Sequence, residues 1–401
     1  MNHITSAKRD CVWIVLSGII GWIVLSSSNR FPVLLLALPI LWTLASGRFT
    51  AFGIWFAYKL TASRGLIPGA AVFLSETHTP AEAVLLWLLM SFGVSLPFLV
   101  FWSEKPGRKA ILLMLAFIVA YVLPPISLIG IVNPLAALGC ILPGWGWSGL
   151  FVGVAVFCIC ARWRKVAFAL LGFVLLLPLF EFASLKPPPA PQDFLAINTS
   201  FGRLGSGSFN FKDDYERARM VFDHLRQLRI QEAPQKYIVL PETIAGRLNK
   251  SGLRLWQDEM RKLLRADQVV FFGAEIPSGN GAKYDNVIIM CDHEGVKSTR
   301  QRIPVPYSMY RGPFSNHGAN LYFFDNGTHE LPAGQTIVVI ICYEAFLTWP
   351  YLDSFFGKPA LIICASNLWW CKNTSLPSIQ KNFLHLWGRL WNVPVISVYN
   401  S

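Results

Sequence analysis

The sequence predicts two parts of different class, an N-terminal α-helical transmembrane bundle and a C-terminal α/β domain. Three observations lead there. Of the 401 residues, 53% are hydrophobic and only 14% are charged, and the apolar excess is concentrated before residue 185, which points to a membrane protein. Residues 193–401 instead alternate short β-branched runs with helical stretches, the pattern of an α/β or α+β sandwich. Between them runs Lys186-Pro187-Pro188-Pro189-Ala190-Pro191, whose consecutive prolines make a stiff, extended linker. The expected division is a polytopic membrane domain at 1–185, a linker at 186–192 and a soluble domain at 193–401.

Seven crossings are expected in the first part. They are residues 11–28, 33–47, 51–74, 82–102, 110–132, 147–161 and 166–183. A span needs roughly 20 apolar residues, so the second, third and sixth are the shortest or most interrupted. Pro68 is expected to kink the third and Pro124-Pro125 to break the fifth. Lys8 and Arg9, the cluster Lys105, Arg108 and Lys109, and the cluster Arg162, Arg164 and Lys165 all fall on one side if the crossings alternate. The loops 76–81 and 133–146 fall on the other side and hold no Lys or Arg. This is the positive-inside pattern with a cytoplasmic N-terminus. An odd number of crossings then places the second domain in the periplasm of a bacterial inner membrane.

The net charge of +12 is largely spent in these loops, so it speaks to topology rather than to nucleic acid. No nucleic-acid motif is present, and no direct nucleic-acid binding is expected. The eight cysteines and seven histidines show no paired CxxC spacing, no HxH and no HExxH, so neither a metal nor a cofactor is expected.

In the second domain, strands are expected at 194–199, 236–240, 268–274, 284–290, 296–302, 336–342, 360–365 and 393–398, and helices at 213–230, 253–265, 345–355 and 378–390. Three strand ends carry chemistry. Thr336 to Glu344, read TIVVIICYE, is a β-branched apolar run ending in a thiol, Cys342. Taken alone, this is a small buried core cysteine or a nucleophile at the carboxyl end of a strand, where open α/β sheets place their sites. Val239-Leu240-Pro241-Glu242 ends a second apolar strand in an acid, and Arg300-Gln301-Arg302-Ile303-Pro304-Val305-Pro306 ends a hairpin in basic residues. Thiol chemistry needs a base for the proton and a donor or cation for the developing oxyanion. Glu242, Arg300 and Cys342 supply an acid, a cation and a thiol.

Four ordered stretches, LPET at 240–243, YDNVIIM at 284–290 with RQRIPVP at 300–306, ICYE at 341–344 and ASNLWW at 365–370, resemble the nitrilase superfamily of carbon–nitrogen hydrolases. The resemblance covers about residues 193–401. It implies a nitrilase-like α-β-β-α sandwich and a Glu, Lys, Cys triad, with Glu242, Arg300 and Cys342 as catalytic residues. Seven crossings before such a domain resemble apolipoprotein N-acyltransferase, in which the cysteine takes an acyl chain from phospholipid and passes it to an amine. The PVPYSM wording at 304–309 is similar to the conjugal transfer proteins of agrobacterial plasmids. The implied partners are a membrane lipid or other acyl donor and the conjugation proteins. The implied function is thiol-dependent acyl transfer or amide hydrolysis, with a catalytically inactive scaffold of the same fold as the alternative.

Three departures stand beside the resemblance. Arg300 occupies the lysine position, and an arginine holds charge without shuttling a proton. Ser308 occupies the position of a loop glutamate. The chain stops at Ser401, where the family continues, so the domain is short at its C-terminus. Asn367, Trp369 and Glu344 are expected to contact substrate. For Glu344 the alternative is an acidic first-turn residue of the following helix, and for Trp369 an ordinary core position.

Overall fold

The computed structural model describes residues 2–25, 31–73, 79–180, 186–202, 211–279 and 282–401. The last residues of the first, third and seventh expected crossings lie outside this set. The chain divides into two compact units. One comprises 1–188 with 346–351 and 371–393, and the other 189–345 with 352–370 and 394–401.

The first unit is helical. Its helices are α1 (Asn2–Val24), α2 (Ala37–Leu44), α3 (Arg48–Ala62), α4 (Leu66–Phe73), α5 (Pro80–Val100), α6 (Pro106–Tyr121), α7 (Leu138–Ile141), α8 (Gly146–Arg162) and α9 (Arg164–Leu176). A helix stands at each of the seven expected places. Among the described residues, however, only α5 is long and apolar enough to cross a membrane, or two spans if the segment 134–141 and α8, bent by 111°, count as one. α1 is long enough at 23 residues but carries Lys8, Arg9 and Asp10, and the others are short for the task. At about 1.5 Å per residue, a helix such as α9 reaches only some two-thirds of a ~30 Å hydrocarbon layer. The third expected span is interrupted at the turn 63–65 rather than at Pro68, which sits in the first turn of α4, where a missing N–H costs nothing. The fifth ends at Tyr121, before Pro124-Pro125, as a proline pair requires.

Aromatic packing fills this unit. Trp55 stacks on Phe98 with centroids 3.8 Å apart, and Phe117 meets both rings edge-on. Residues late in the chain join it. The helix Leu376–Trp391, expected in the soluble domain, buries Phe383, Leu386 and Trp387 and passes so close to α7 that a Cβ on Gly139 would lie 2.1 Å from the Leu386 carbonyl oxygen. Arg389 Nε donates to the Gly139 carbonyl at 3.0 Å.

The second unit is an α/β sandwich with mixed sheets. Its strands are β1 (Phe194–Ala196), β2 (Tyr237–Val239), β3 (Val269–Ser278), β4 (Lys283–Cys291), β5 (Val296–Arg300), β6 (Gly318–Ala319), β7 (Thr328–Glu330), β8 (Thr336–Ile341), β9 (Leu361–Asn367) and β10 (Val395–Asn400), with helices α10 (Phe211–Gln227) and α11 (Lys250–Leu263). The first sheet runs β1-β2-β3-β4-β5, with β6 beside β4, and the second runs β10-β9-β8-β7. The two-residue β6 and three-residue β7 carry no periodicity and escape sequence reading.

Alternation along the strands builds two cores. Val239, Phe271, Ile288 and Met290 of the first sheet meet Ile337, Val339, Ile341, Ile363 and Val398 of the second. The opposite face of the first sheet, Ile238, Val270, Phe272, Val287 and Ile289, packs under Phe222 and Leu225 of α10 and Trp256 and Met260 of α11. This two-sided burial explains why the central strands read as continuous apolar runs.

Candidate active site

Cys342 follows β8 directly and opens a short 3-10 turn, Cys342–Phe346. Its φ is +48°, a left-handed conformation that costs a side-chain-bearing residue on the order of 1 kcal/mol or more and is found mainly where surrounding structure imposes it. A core cysteine needs no such turn. The turn lifts the thiol off the strand, where it hydrogen-bonds to the Glu242 carboxyl.

Glu242 stands just past β2 and is buried. The segment bearing it crosses the face of β3 at Gly273, where a Cβ would lie 2.2 Å from the Thr243 nitrogen and 2.5 Å from the Glu242 Cα. Asn286 Nδ2 donates to Glu242 Oε1 at 2.6 Å, and the Asn367 peptide N–H donates to Oε2 at 2.8 Å. Burial raises the Glu242 carboxyl to about 7, against the hydrogen bonds from Cys342, Asn286 and Asn367, which hold it down. A carboxyl near 7 matches a general base working at neutral pH.

Arg300 is not part of this arrangement, and its assignment is corrected. In the β4–β5 register Arg300 pairs with Val287, and Thr299 with Ile288. Val287 belongs to the core beneath α10 and α11, whereas Ile288 shares the inter-sheet core with Cys342. Arg300 therefore points to the face away from the thiol. It ion-pairs with Asp285 at 3.4 Å, half-exposed, over the Tyr322 ring. The residue on the thiol's face is Gln301, two positions from the inward Thr299. Gln301 is buried; its Nε2 donates to the Ile341 carbonyl at 3.0 Å, and its Oε1 accepts from Asn286 at 2.9 Å. An uncharged amide thus stands where the resemblance called for a cation. The same one-residue shift moves the loop acid's position from Ser308 to the uncharged Met309.

The expected substrate contacts divide. Asn367 lies beside the acid: besides its N–H on Glu242, its Nδ2 donates to Thr243 Oγ1 at 2.8 Å, and its Oδ1 accepts from Asn400 at 3.0 Å. Trp369 is half-buried in the turn after β9, next to Trp370, whose indole donates to the Asn367 carbonyl at 3.1 Å. Glu344 is fully buried and does not face a substrate, which corrects its assignment. Its Oε1 accepts the peptide N–H groups of Arg302 and Ile303, its Oε2 that of Ile341 at 2.9 Å, and Arg302 Nε lies 3.5 Å away with neither side chain exposed. Glu344 therefore ties the segment after β5 to the turn that bears Cys342. Sequence reasoning missed Gln301, Asn286 and Arg302. Asn286 lay within the quoted YDNVIIM stretch, and Gln301 and Arg302 beside the residue chosen.

Cys364, the other thiol near the acid, is pushed by burial up to about 12 and cannot serve as a nucleophile at neutral pH.

No family model matches the chain. The conjugal transfer protein TraB of Agrobacterium fabrum is 32% identical over 405 residues, covering 96% of this chain and 90% of that protein. The chain belongs to the TraB family. The probable conjugal transfer protein TraB of Sinorhizobium fredii is 29% identical, with 96% of each covered. Among solved structures, a Nesterenkonia amidase from the nitrilase superfamily is similar over 51% of this chain and 74% of its own length, at 12% identity and a TM-score of 0.35. The glutamine-dependent NAD+ synthetase of Acinetobacter baumannii is similar over 43% of this chain and 31% of its own length, at 10% identity and a TM-score of 0.30.

Proposed function

We propose that this TraB-family chain is an inner-membrane protein of plasmid conjugal transfer, whose nitrilase-like domain lies in the periplasm and uses Cys342 for acyl transfer or amide hydrolysis. The observation that carries the chemistry is the hydrogen bond between the Cys342 thiol, on its left-handed turn, and the buried Glu242 carboxyl. In the proposed first step, Glu242 takes the Sγ proton while Sγ attacks the carbonyl carbon of an amide or ester. Collapse of the tetrahedral adduct breaks the bond to the leaving group, which takes the proton from Glu242 and leaves a thioester on Cys342. Water or an amine then attacks the thioester while Glu242 takes its proton, and collapse breaks the C–S bond and returns that proton to Sγ, releasing the acid or the N-acyl product. Gln301 offers an amide N–H but no charge. A neutral donor is roughly half as strong as a charged one, so turnover of the thioester is the slow half. The helical unit serves as the multi-pass anchor, with the acyl donor in or near the lipid and other conjugation proteins as partners.

The uncharged Gln301 also supports a second reading, in which the domain keeps the fold and acts as a scaffold of the transfer apparatus. Two measurements separate them. The full chain is incubated with a labelled acyl donor and the Cys342 peptide is read by mass spectrometry for a thioester. In cells, Cys342→Ala is compared with deletion of the gene. Plasmid transfer at the wild-type frequency in Cys342→Ala, with transfer lost on deletion, supports the scaffold. Alkaline phosphatase fused after Pro191 tests the topology, and an inactive fusion contradicts a periplasmic domain.

A further inference from the structure

The amide orientations around Cys342 are fixed by a chain of hydrogen bonds. The Ile341 carbonyl only accepts, so the nitrogen of Gln301 must face it. The oxygen of Gln301 then faces Asn286, so the nitrogen of Asn286 must point there. That nitrogen gives its second hydrogen to Glu242. Asn286 Oδ1 is thereby directed away from both, and it is buried with no hydrogen-bond partner. A buried acceptor left unmade is expensive, so a donor is expected at it.

The side chain directly opposite Asn286 is Glu275. The two are register partners in the β3–β4 pair, which puts their Cβ atoms on one face about 4.5–5.5 Å apart. Glu275 is itself buried. An ionised carboxylate facing an amide oxygen sets acceptor against acceptor, whereas a protonated carboxyl gives that oxygen its missing hydrogen. We infer that Glu275 is a positioning residue held as a carboxylic acid, whose O–H donates to Asn286 Oδ1 and so aims both Asn286 N–H bonds at Glu242 and Gln301.

The surroundings agree. Glu242 receives three hydrogen bonds, from Cys342, Asn286 and Asn367, each favouring its charged form. Arg217 of α10 and Arg247 after β2 face Glu275 and favour its ionisation, but burial outweighs them and lifts the carboxyl to about 7. Tyr284, on the same face of β4 as Asn286, and Glu242 complete the groups around it. With two acids on one face, the better-donated one carries the charge and the other keeps the proton.

The hydrogen bond stands apart from the catalytic reading; its consequence for Cys342 rests on that reading. The full-length protein in detergent is tested in two ways. Infrared spectra of wild type and Glu275→Gln, taken at about pH 6, where an ordinary glutamate is ionised, should differ by one carboxylic-acid C=O band. Equal spectra overturn the proposal. Second, alkylation of Cys342 by iodoacetamide is followed against pH. Glu275→Gln keeps an N–H donor and should stay within about twofold of wild type. Glu275→Leu, which orphans Oδ1, should slow alkylation about tenfold and move its midpoint to higher pH. Gln and Leu variants that behave alike also overturn it. If the Leu variant fails to fold, the infrared comparison still decides. If wild-type Cys342 shows no enhanced reactivity, the catalytic reading falls while the infrared result still judges the hydrogen bond.

Discussion

Replacing Glu242 by Gln removes the base while keeping the volume and one acceptor for Asn286, although the Asn367 peptide N–H loses its acceptor. With the wild-type carboxyl at about 7, about half the molecules at neutral pH hold Glu242 ionised and able to take the Sγ proton. Without a base the thiol keeps its proton at neutral pH, so alkylation of Cys342 should fall by about tenfold or more. Acyl transfer, which also needs the proton returned to a leaving group, should fall by about 10² to 10⁴. The pH profile carries the sign. In wild type the rate rises through about 7 as Glu242 loses its proton; in Glu242→Gln that inflection disappears and the rise moves to the thiol's own range. The assay is iodoacetamide alkylation read on the Cys342 peptide, since Cys11 is exposed and reacts independently. An unchanged rate with an unchanged midpoint in Glu242→Gln refutes the pairing as a source of reactivity.

Gln301→Lys places a cation beside Glu242 and should move the alkylation midpoint down by about 1–3 pH units; Arg300→Ala, on the far face, should leave it in place. Glu344→Ala strands the buried Arg302 and should cost about 3–5 kcal/mol in denaturant unfolding, with Cys342 labelling weakened because the peptide groups of Ile341, Arg302 and Ile303 lose their common acceptor. Glu275 has a folded-state value of about 7 against 4.5 ordinarily. Between these the native state holds a proton the unfolded chain has lost, so stability falls as pH rises across the window. Glu275→Gln should flatten the slope of stability against pH there by up to ~1.4 kcal/mol per unit. Thermal midpoints measured across that window check it.

Much of the fold was legible because its causes are local. The β-branched run 336–341, the apolar 237–240 and the hairpin 283–300 are strands by composition and alternation. The helices α10 and α11 follow from periodicity, as does the switch from apolar to ordinary composition near residue 185. Cys342 and Glu242 could be chosen because each ends a buried strand, a place that sequence order marks. The cross-chain facts were not legible. The helix 376–391 has an amphipathic face, but nothing in that face says that it clusters with α7 and the N-terminal helices rather than with the strands around it. Nor does the sequence of α5 differ enough from its neighbours to show that, among the described residues, it is the helix that is both long and apolar enough to span.

The arginine shows the limit most clearly. Arg300 and Gln301 are adjacent and follow the same strand, and charge favoured the wrong one. Which of two consecutive residues faces the thiol depends on whether Ile288 or Val287 stands opposite Thr299. That is set by the pairing of β4 with β5, and by which face of the sheet α10 and α11 cover. Strand parity is a local rule, but its origin is a tertiary contact. The sequence by itself determined that an acid and a thiol each end a buried strand. Only the packing of the two sheets decided that the third member is an uncharged glutamine, held by a backbone carbonyl and an asparagine, because a one-residue change of origin sends a side chain to the opposite face.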